Sequence, residues 1–99
     1  MVCIVFYDLE NSNARTKVAK QLIQYGLVRI QLSILAGPYD KDTFDKLWQK
    51  LVVLIEHNQT EQDKLYYLII SENQFKNMKM FGEIMDLDYI CGTKHTIIF

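Results

Sequence analysis

The residues Val2-Cys3-Ile4-Val5-Phe6-Tyr7 are apolar without interruption, and the run stops at a carboxylate, Asp8. Successive side chains of a strand point to opposite faces, so a stretch with no polar alternation must be covered on both sides. The run is too short to span a membrane. With Asp8 and Glu10 so close behind, it does not fit a secretion signal either. It therefore predicts a central strand of a layered sheet, with an acidic group at its carboxyl end where the sheet rim meets solvent.

Asn11, Ser12 and Asn13 can each cap a following helix. Ala14, Val18, Leu22 and Tyr25 then recur along one helical face, while Arg15, Lys17, Lys20, Gln21 and Gln24 fill most of the rest. Gly26 suits the left-handed position that ends such a helix. From Leu27 to Ala36 the pattern alternates: Val28, Ile30, Leu32 and Ile34 share one parity, and Arg29, Gln31 and Ser33 the other. Leu35 breaks the alternation, which predicts a bend or bulge near Ser33; nothing in the sequence marks where a second strand ends and a third begins, and the run as a whole is taken to bend into both.

Gly37-Pro38-Tyr39-Asp40 is a turn signal. Asp42 or Thr43 then caps a second helix, whose stripe is Phe44, Leu47, Trp48, Leu51, Val52 and Ile55. Val53 points away from that stripe and is a candidate partner contact. Leu65 to Ile70 reads as another continuous apolar strand, and the polar stretch Ser71 to Met78 as the site of a short helix. Met80-Phe81 and Thr96 to Phe99 read as short strands, and Leu87 to Ile90 as strand or loop.

This order predicts an α+β chain: a ferredoxin-like βαββαβ sandwich with its helices on one face and an extra C-terminal strand. Ninety-nine residues, 49% of them apolar, suffice for one core and one domain spanning 1–99. Cys3 and Cys91 are too few for a disulfide framework or a zinc cluster, and Cys3 reads as a small buried hydrophobe. A cytoplasmic protein without membrane contact is expected. Eleven Lys/Arg against twelve Asp/Glu argue against a chain whose main task is coating nucleic acid. The cations Arg15, Lys17, Lys20 and Arg29 nevertheless precede most of the acids, so a basic face can exist on an acidic chain.

Asp8 is the leading candidate for chemistry. One carboxylate is too little to hold Mg²⁺, which wants several oxygen ligands, but a two-fold axis would supply a second copy. Its competing role is a turn bond to the amides that follow the strand. Tyr7 falls on the opposite sheet face from Asp8, which suits a core residue, and Glu10 reads as a solvated loop acid. Arg15, Lys17 and Arg29 are either phosphate contacts or solvated cations. Ser33 has no nearby histidine in sequence to activate it and reads as structural. His57 and His95 have no metal-ligand spacing, and His57 suits the end of the second helix. No glycine-rich phosphate loop supports a small ligand-binding regulatory domain.

The strand-end Asp8, the basic helix after it and the strand Arg29-Ile30-Gln31-Leu32-Ser33 together resemble the small CRISPR-associated endonuclease-like proteins, adaptation subunits that partner the CRISPR integrase. The resemblance is specific from Met1 to about Gly37 and looser from there to Phe99. It implies a ferredoxin-like homodimer whose sheets meet across a two-fold axis, often with exchanged C-terminal strands. It further implies Mg²⁺ (or Mn²⁺) shared between the Asp8 residues of the two protomers, activating water against a phosphodiester of RNA or DNA. Arg15, Lys17 and Arg29 stand at the family's basic, nucleic-acid-binding positions, and Tyr7 and Ser33 match its tyrosine and serine as supporting residues. Leu32 and Leu35 stand where the family often has aromatics.

Two functions are thus expected. One is a dimeric bridge between integrase dimers in spacer acquisition, the other a metal-dependent endonuclease. A single clear acid per protomer favours the bridge as the dominant role. The alternative is a stand-alone toxin-type endoribonuclease of the related virulence-associated family, which shares the fold and an early strand-end aspartate.

Overall fold

The computed structural model describes residues 1–57, 60–82 and 87–92. Its elements run β1 (Val2–Asp8), α1 (Ser12–Tyr25), β2 (Val28–Gln31), β3 (Ile34–Pro38), α2 (Lys41–Glu56), β4 (Lys64–Ile70), α3 (Glu72–Lys76) and α4 (Leu87–Ile90). The strands form one antiparallel sheet in the order β2-β3-β1-β4, the ferredoxin-like arrangement. β1 is interior, paired with β3 from Val2↔Pro38 to Phe6↔Ile34 and with β4 from Val2↔Ile70 to Asp8↔Lys64. Its uniformly apolar sequence matches that place: Val2 to Val5 and Tyr7 are buried, and Phe6 is half-buried.

The Leu27–Ala36 run does divide into two strands. The chain reverses at Leu32-Ser33, and the ladder between β2 and β3 shifts register between Arg29 and Gln31. Asn11 caps α1, its side chain accepting the Ala14 N–H at 2.9 Å. Gly26 closes that helix at φ 119°, a left-handed conformation that costs a residue with a Cβ.

The cap of α2 differs from expectation. It is Asp40, whose carboxylate accepts the Thr43 N–H at 3.1 Å and the Thr43 hydroxyl at 2.8 Å. Asp40 is still extended while Lys41 is already helical, so Asp42 and Thr43 fall inside the first turn.

Two apolar layers flank the sheet. On one side Cys3, Val5 and Tyr7 of β1 pack with Val18 and Leu22 of α1 and with Phe44, Leu47, Leu51 and Ile55 of α2. Fully buried Phe44 is the hub of this layer, with ring centroids 5.8 Å from Tyr25, 5.5 Å from Tyr39 and 4.9 Å from Tyr67. On the other side Val2, Ile4 and Ala36 meet Phe75 of α3 and Ile90 and Cys91 at α4. Helices therefore lie on both faces, not on one as the element order suggested, because short apolar pieces after β4 fold back over the second face.

That second cover is partial. Phe6, Ile30, Ile34, Leu68 and Ile70 line an open concavity of about 720 Å³ with Met78, Met80 and Phe81. Met80-Phe81 is not a strand: it pairs with no ladder, Phe81 is fully exposed, and Gly82 turns the chain at φ 122°. Leu87–Ile90 is a helical turn rather than a strand or loop. The expected strand Thr96–Phe99 lies outside the described residues. No helix among the described residues is long and apolar enough to cross a membrane.

Candidate nucleic-acid and metal site

β1 delivers Asp8 to the sheet rim. The residue is exposed, lies across the ladder from Lys64, and shares the strand parity of Ile4 and Phe6, which line the open concavity. Within the described residues no hydrogen bond or ion pair engages its carboxylate. The competing role, a turn bond to the amides after β1, is taken by other groups. Asn11 accepts from Ala14, and Asp63 accepts the Glu10 N–H at 3.0 Å.

A cleft of about 680 Å³ opens beside Asp8 and is lined by Tyr7, Arg15, Lys20, Arg29 and Ser33, with Ile23 and Leu32 as apolar wall. Of the six residues singled out in the sequence, five meet here. Lys17 does not: it faces a separate groove with Asn13, Val53 and His57. Two residues along a helix is a rotation of about 200°, so Arg15 and Lys17 cannot share a face. Lys20 occupies the cleft instead, one turn beyond Thr16, and that spacing was readable.

The supporting residues hold the cleft together. Tyr7 is buried, its hydroxyl donates to the Leu32 carbonyl at 3.1 Å, and its N–H donates to the Ser33 carbonyl at 3.1 Å. The Arg29 guanidinium donates to the same Leu32 carbonyl. The β2–β3 turn is thereby tied to the end of the strand that carries Asp8. Arg15 Nη1 donates to the carbonyls of Leu9 at 2.8 Å and Glu10 at 2.9 Å, which fixes the exit from β1. Its other N–H groups have no partner within the described residues and stay available to an anion. Among the described residues no histidine lines the cleft, so none of them gives the Ser33 hydroxyl an activating base.

Asp63 was not legible in the sequence. Its carboxylate accepts from the Glu10 N–H, the Thr60 N–H at 3.1 Å and the Thr60 hydroxyl at 3.1 Å. The Glu10 bond, helped by those from Thr60, holds the carboxyl below its ordinary value of 3.8. The three-residue spacing from Thr60 is the one local sign of this role.

No group of three or more His, Cys, Asp or Glu residues that could hold a metal exists among the described residues. Asp8 fits a hard cation as one oxygen ligand, being exposed and uncommitted, but it is not a complete site. Three cations and one carboxylate make the cleft a place for an anion.

Residues 1–78 match the family model described as CRISPR associated protein Cas2. A CRISPR-associated endoribonuclease Cas2 of Thermofilum pendens is 25% identical over 81 residues, which covers 82% of this chain and 83% of that one. A second protein of that description, from Chloroflexus aurantiacus, is 51% identical over 37 residues, 37% of this chain and 44% of its own length. Among solved structures, a hypothetical protein of Thermus thermophilus aligns with a TM-score of 0.61 at 27% identity, covering 71% of this chain and 80% of that one. Streptococcus pyogenes Cas2 at pH 6.5 aligns with a TM-score of 0.68 at 22% identity, covering 83% and 100%, and shares the fold.

Proposed function

This chain belongs to the CRISPR-associated Cas2 family, and from that premise we propose that it works as a homodimer in CRISPR adaptation. In this reading the dimer bridges integrase dimers during spacer acquisition and carries a Mg²⁺- or Mn²⁺-dependent endonuclease activity on RNA or DNA. The observation that supports it best is that Asp8, with an uncommitted carboxylate, shares the parity of the open apolar sheet face. A second copy seated on Phe6, Ile30, Ile34, Leu68 and Ile70 removes that surface from water and brings its own Asp8 toward the first.

Each protomer then supplies one carboxylate to a shared cation. A divalent metal held there would polarise a phosphoryl oxygen and lower the pKa of its bound water. Lys20, Arg29 and the free N–H groups of Arg15 hold the phosphate: Lys as a point charge, Arg as a fork. Tyr7 acts through Leu32, keeping the turn that carries Arg29 and Ser33 at a fixed distance from the strand end. The relatives named as endoribonucleases make RNA the first substrate to try, and the family match favours this reading over a toxin-type endoribonuclease.

The test is cleavage of labelled RNA and duplex DNA with Mg²⁺, Mn²⁺ or chelator, using wild type and Asp8→Asn, with sedimentation run alongside. Metal-dependent cutting by a dimer, lost in Asp8→Asn, is the expected result. Wild-type cutting by Asp8→Asn would overturn the metal site. A folded dimer that binds the integrase and never cuts would leave the bridge alone.

A further inference from the structure

The groove that receives Lys17 is the second basic feature of the molecule, and nothing in the cleft chemistry uses it. It runs between α1 and α2 as two adjoining concavities of about 580 and 140 Å³ that share Val53 and Leu54. Lys17 and Gln21 of α1 and Lys46, Gln49 and Lys50 of α2 form its walls, and His57 stands at one end. Among the described residues its lining contains no carboxylate, on a chain whose acids outnumber its Lys and Arg residues. Lys17, Lys46 and Lys50 have no ion-pair partner within the described residues. Between these cations the floor is apolar: Ala14, Leu54, and Val53 at 67% exposure.

We propose that the α1–α2 groove docks an acidic amphipathic helical segment of a partner protein. Charge complementarity and the apolar floor commit the occupant together. Carboxylates of the segment meet Lys17, Lys46 and Lys50, while its apolar side chains cover Val53 and Leu54, the helix-in-groove mode of recognition. A nucleic acid fits less well, because the described lining offers no aromatic face for a base and the surface between its lysines is apolar. From Lys46 to His57 the α2 wall extends roughly 17 Å at 1.5 Å per residue, about three turns of a docked helix. The groove lies on the side of the sheet that α1 and α2 cover, away from the open face, so it stays free whether or not that face is covered by a second copy.

The test uses the full chain and two synthetic peptides of 15 residues, one with leucines at helical i, i+3, i+4 and i+7 spacing and glutamates elsewhere, the other with each glutamate replaced by lysine. Amide spectra of the protein are titrated with each peptide and with a 20-base-pair DNA duplex. Shifts confined to Asn13–Gln21 and Lys46–His57 with the acidic peptide alone are expected. The affinity should fall about tenfold in Lys46→Glu/Lys50→Glu, two exposed positions where charge reversal leaves packing intact. Val53→Ser, which leaves the charge unchanged, should weaken binding as well. Three results would overturn the proposal: no binding or shifts elsewhere, indifference to Val53→Ser, or tighter binding of the duplex to the same amides. The last would make the groove a nucleic-acid surface.

Discussion

The carboxylate of Asp63 accepts the backbone N–H of Glu10 at 3.0 Å, joining the exit of β1 to the entry of β4. The bond fastens the loop immediately after Asp8, and it depends on pH. Because the folded state depresses the Asp63 pKa below 3.8, its contribution to stability is full above that value and disappears as pH falls through the folded value. Hydrogen exchange at the Glu10 amide should therefore accelerate as pH falls below 3.8, after correction for intrinsic rates, and should be fast at neutral pH in Asp63→Ala.

Asp8→Asn should leave stability within about 0.5 kcal/mol of wild type, because the carboxylate has no partner to lose. Millimolar Mg²⁺ or Mn²⁺ should raise the melting temperature of the wild type and not of the variant, as expected for a ligand that binds only the folded site. Thermal unfolding with and without metal checks both statements independently of any cleavage.

Tyr7 and Arg29 act through one acceptor, so their effects should not add. Tyr7→Phe keeps the buried ring, loses one hydrogen bond, and should cost about 1 kcal/mol. Combined with Arg29→Gln it strips the Leu32 carbonyl of both side-chain donors. A double-mutant cycle in urea should show coupling of about 0.5 kcal/mol or more.

Gly37 has room for a hydrogen and nothing larger. A Cβ there would meet Leu27 Cδ2 at 2.7 Å and the Gly26 carbonyl oxygen at 3.1 Å. The Leu27 side chain is fully packed, so Gly37→Ala should destabilise by about 1–3 kcal/mol in denaturant titration.

Burial pushes the Cys3 thiol up to about 12 and raises Cys91 as well. Neither should react with iodoacetamide in the native protein at pH 8, since the thiolate is the nucleophile. Cys91, in the small cluster at α4, should be labelled before Cys3, which lies in the interior strand and opens only on global unfolding.

The elements fixed by an unambiguous local signal were legible in the sequence. The unalternating apolar run Val2–Tyr7 predicted an interior strand, and β1 is one, but the equally continuous run Leu65–Ile70 became β4 at the edge of the described sheet, with Tyr66, Tyr67 and Leu68 exposed. Gly26 marked the end of α1, whereas the parity break at Leu35 signalled only a bend near Ser33, and the division between β2 and β3 at Leu32-Ser33 was not readable. Where several residues compete for one role, local chemistry does not decide. Asp40, Asp42 and Thr43 are all good caps, and only the path of the chain after Pro38 selects Asp40. Lys17 and Lys20 are equal as charges, and the rotation of α1 about its own axis separates them. Met80-Phe81 looks like a strand because both are apolar, yet they line an open face without any ladder. The long-range bond from Asp63 to Glu10 leaves no trace in composition or periodicity.

The position of β1 also governs how the chain comes to fold. It leaves the ribosome before the strands it pairs with, and those partners are distant: Val2 pairs with Pro38 on one side and Ile70 on the other. The β2–β3 hairpin and the two long helices can form from neighbouring residues, whereas the sheet centre waits for β4 to be synthesised. Long-range pairing of this kind slows folding, because loop-closure entropy is spent before the contacts reward it. Until β4 arrives, the nascent chain holds out an apolar strand with an unpaired edge, and that interval is when it most needs a chaperone.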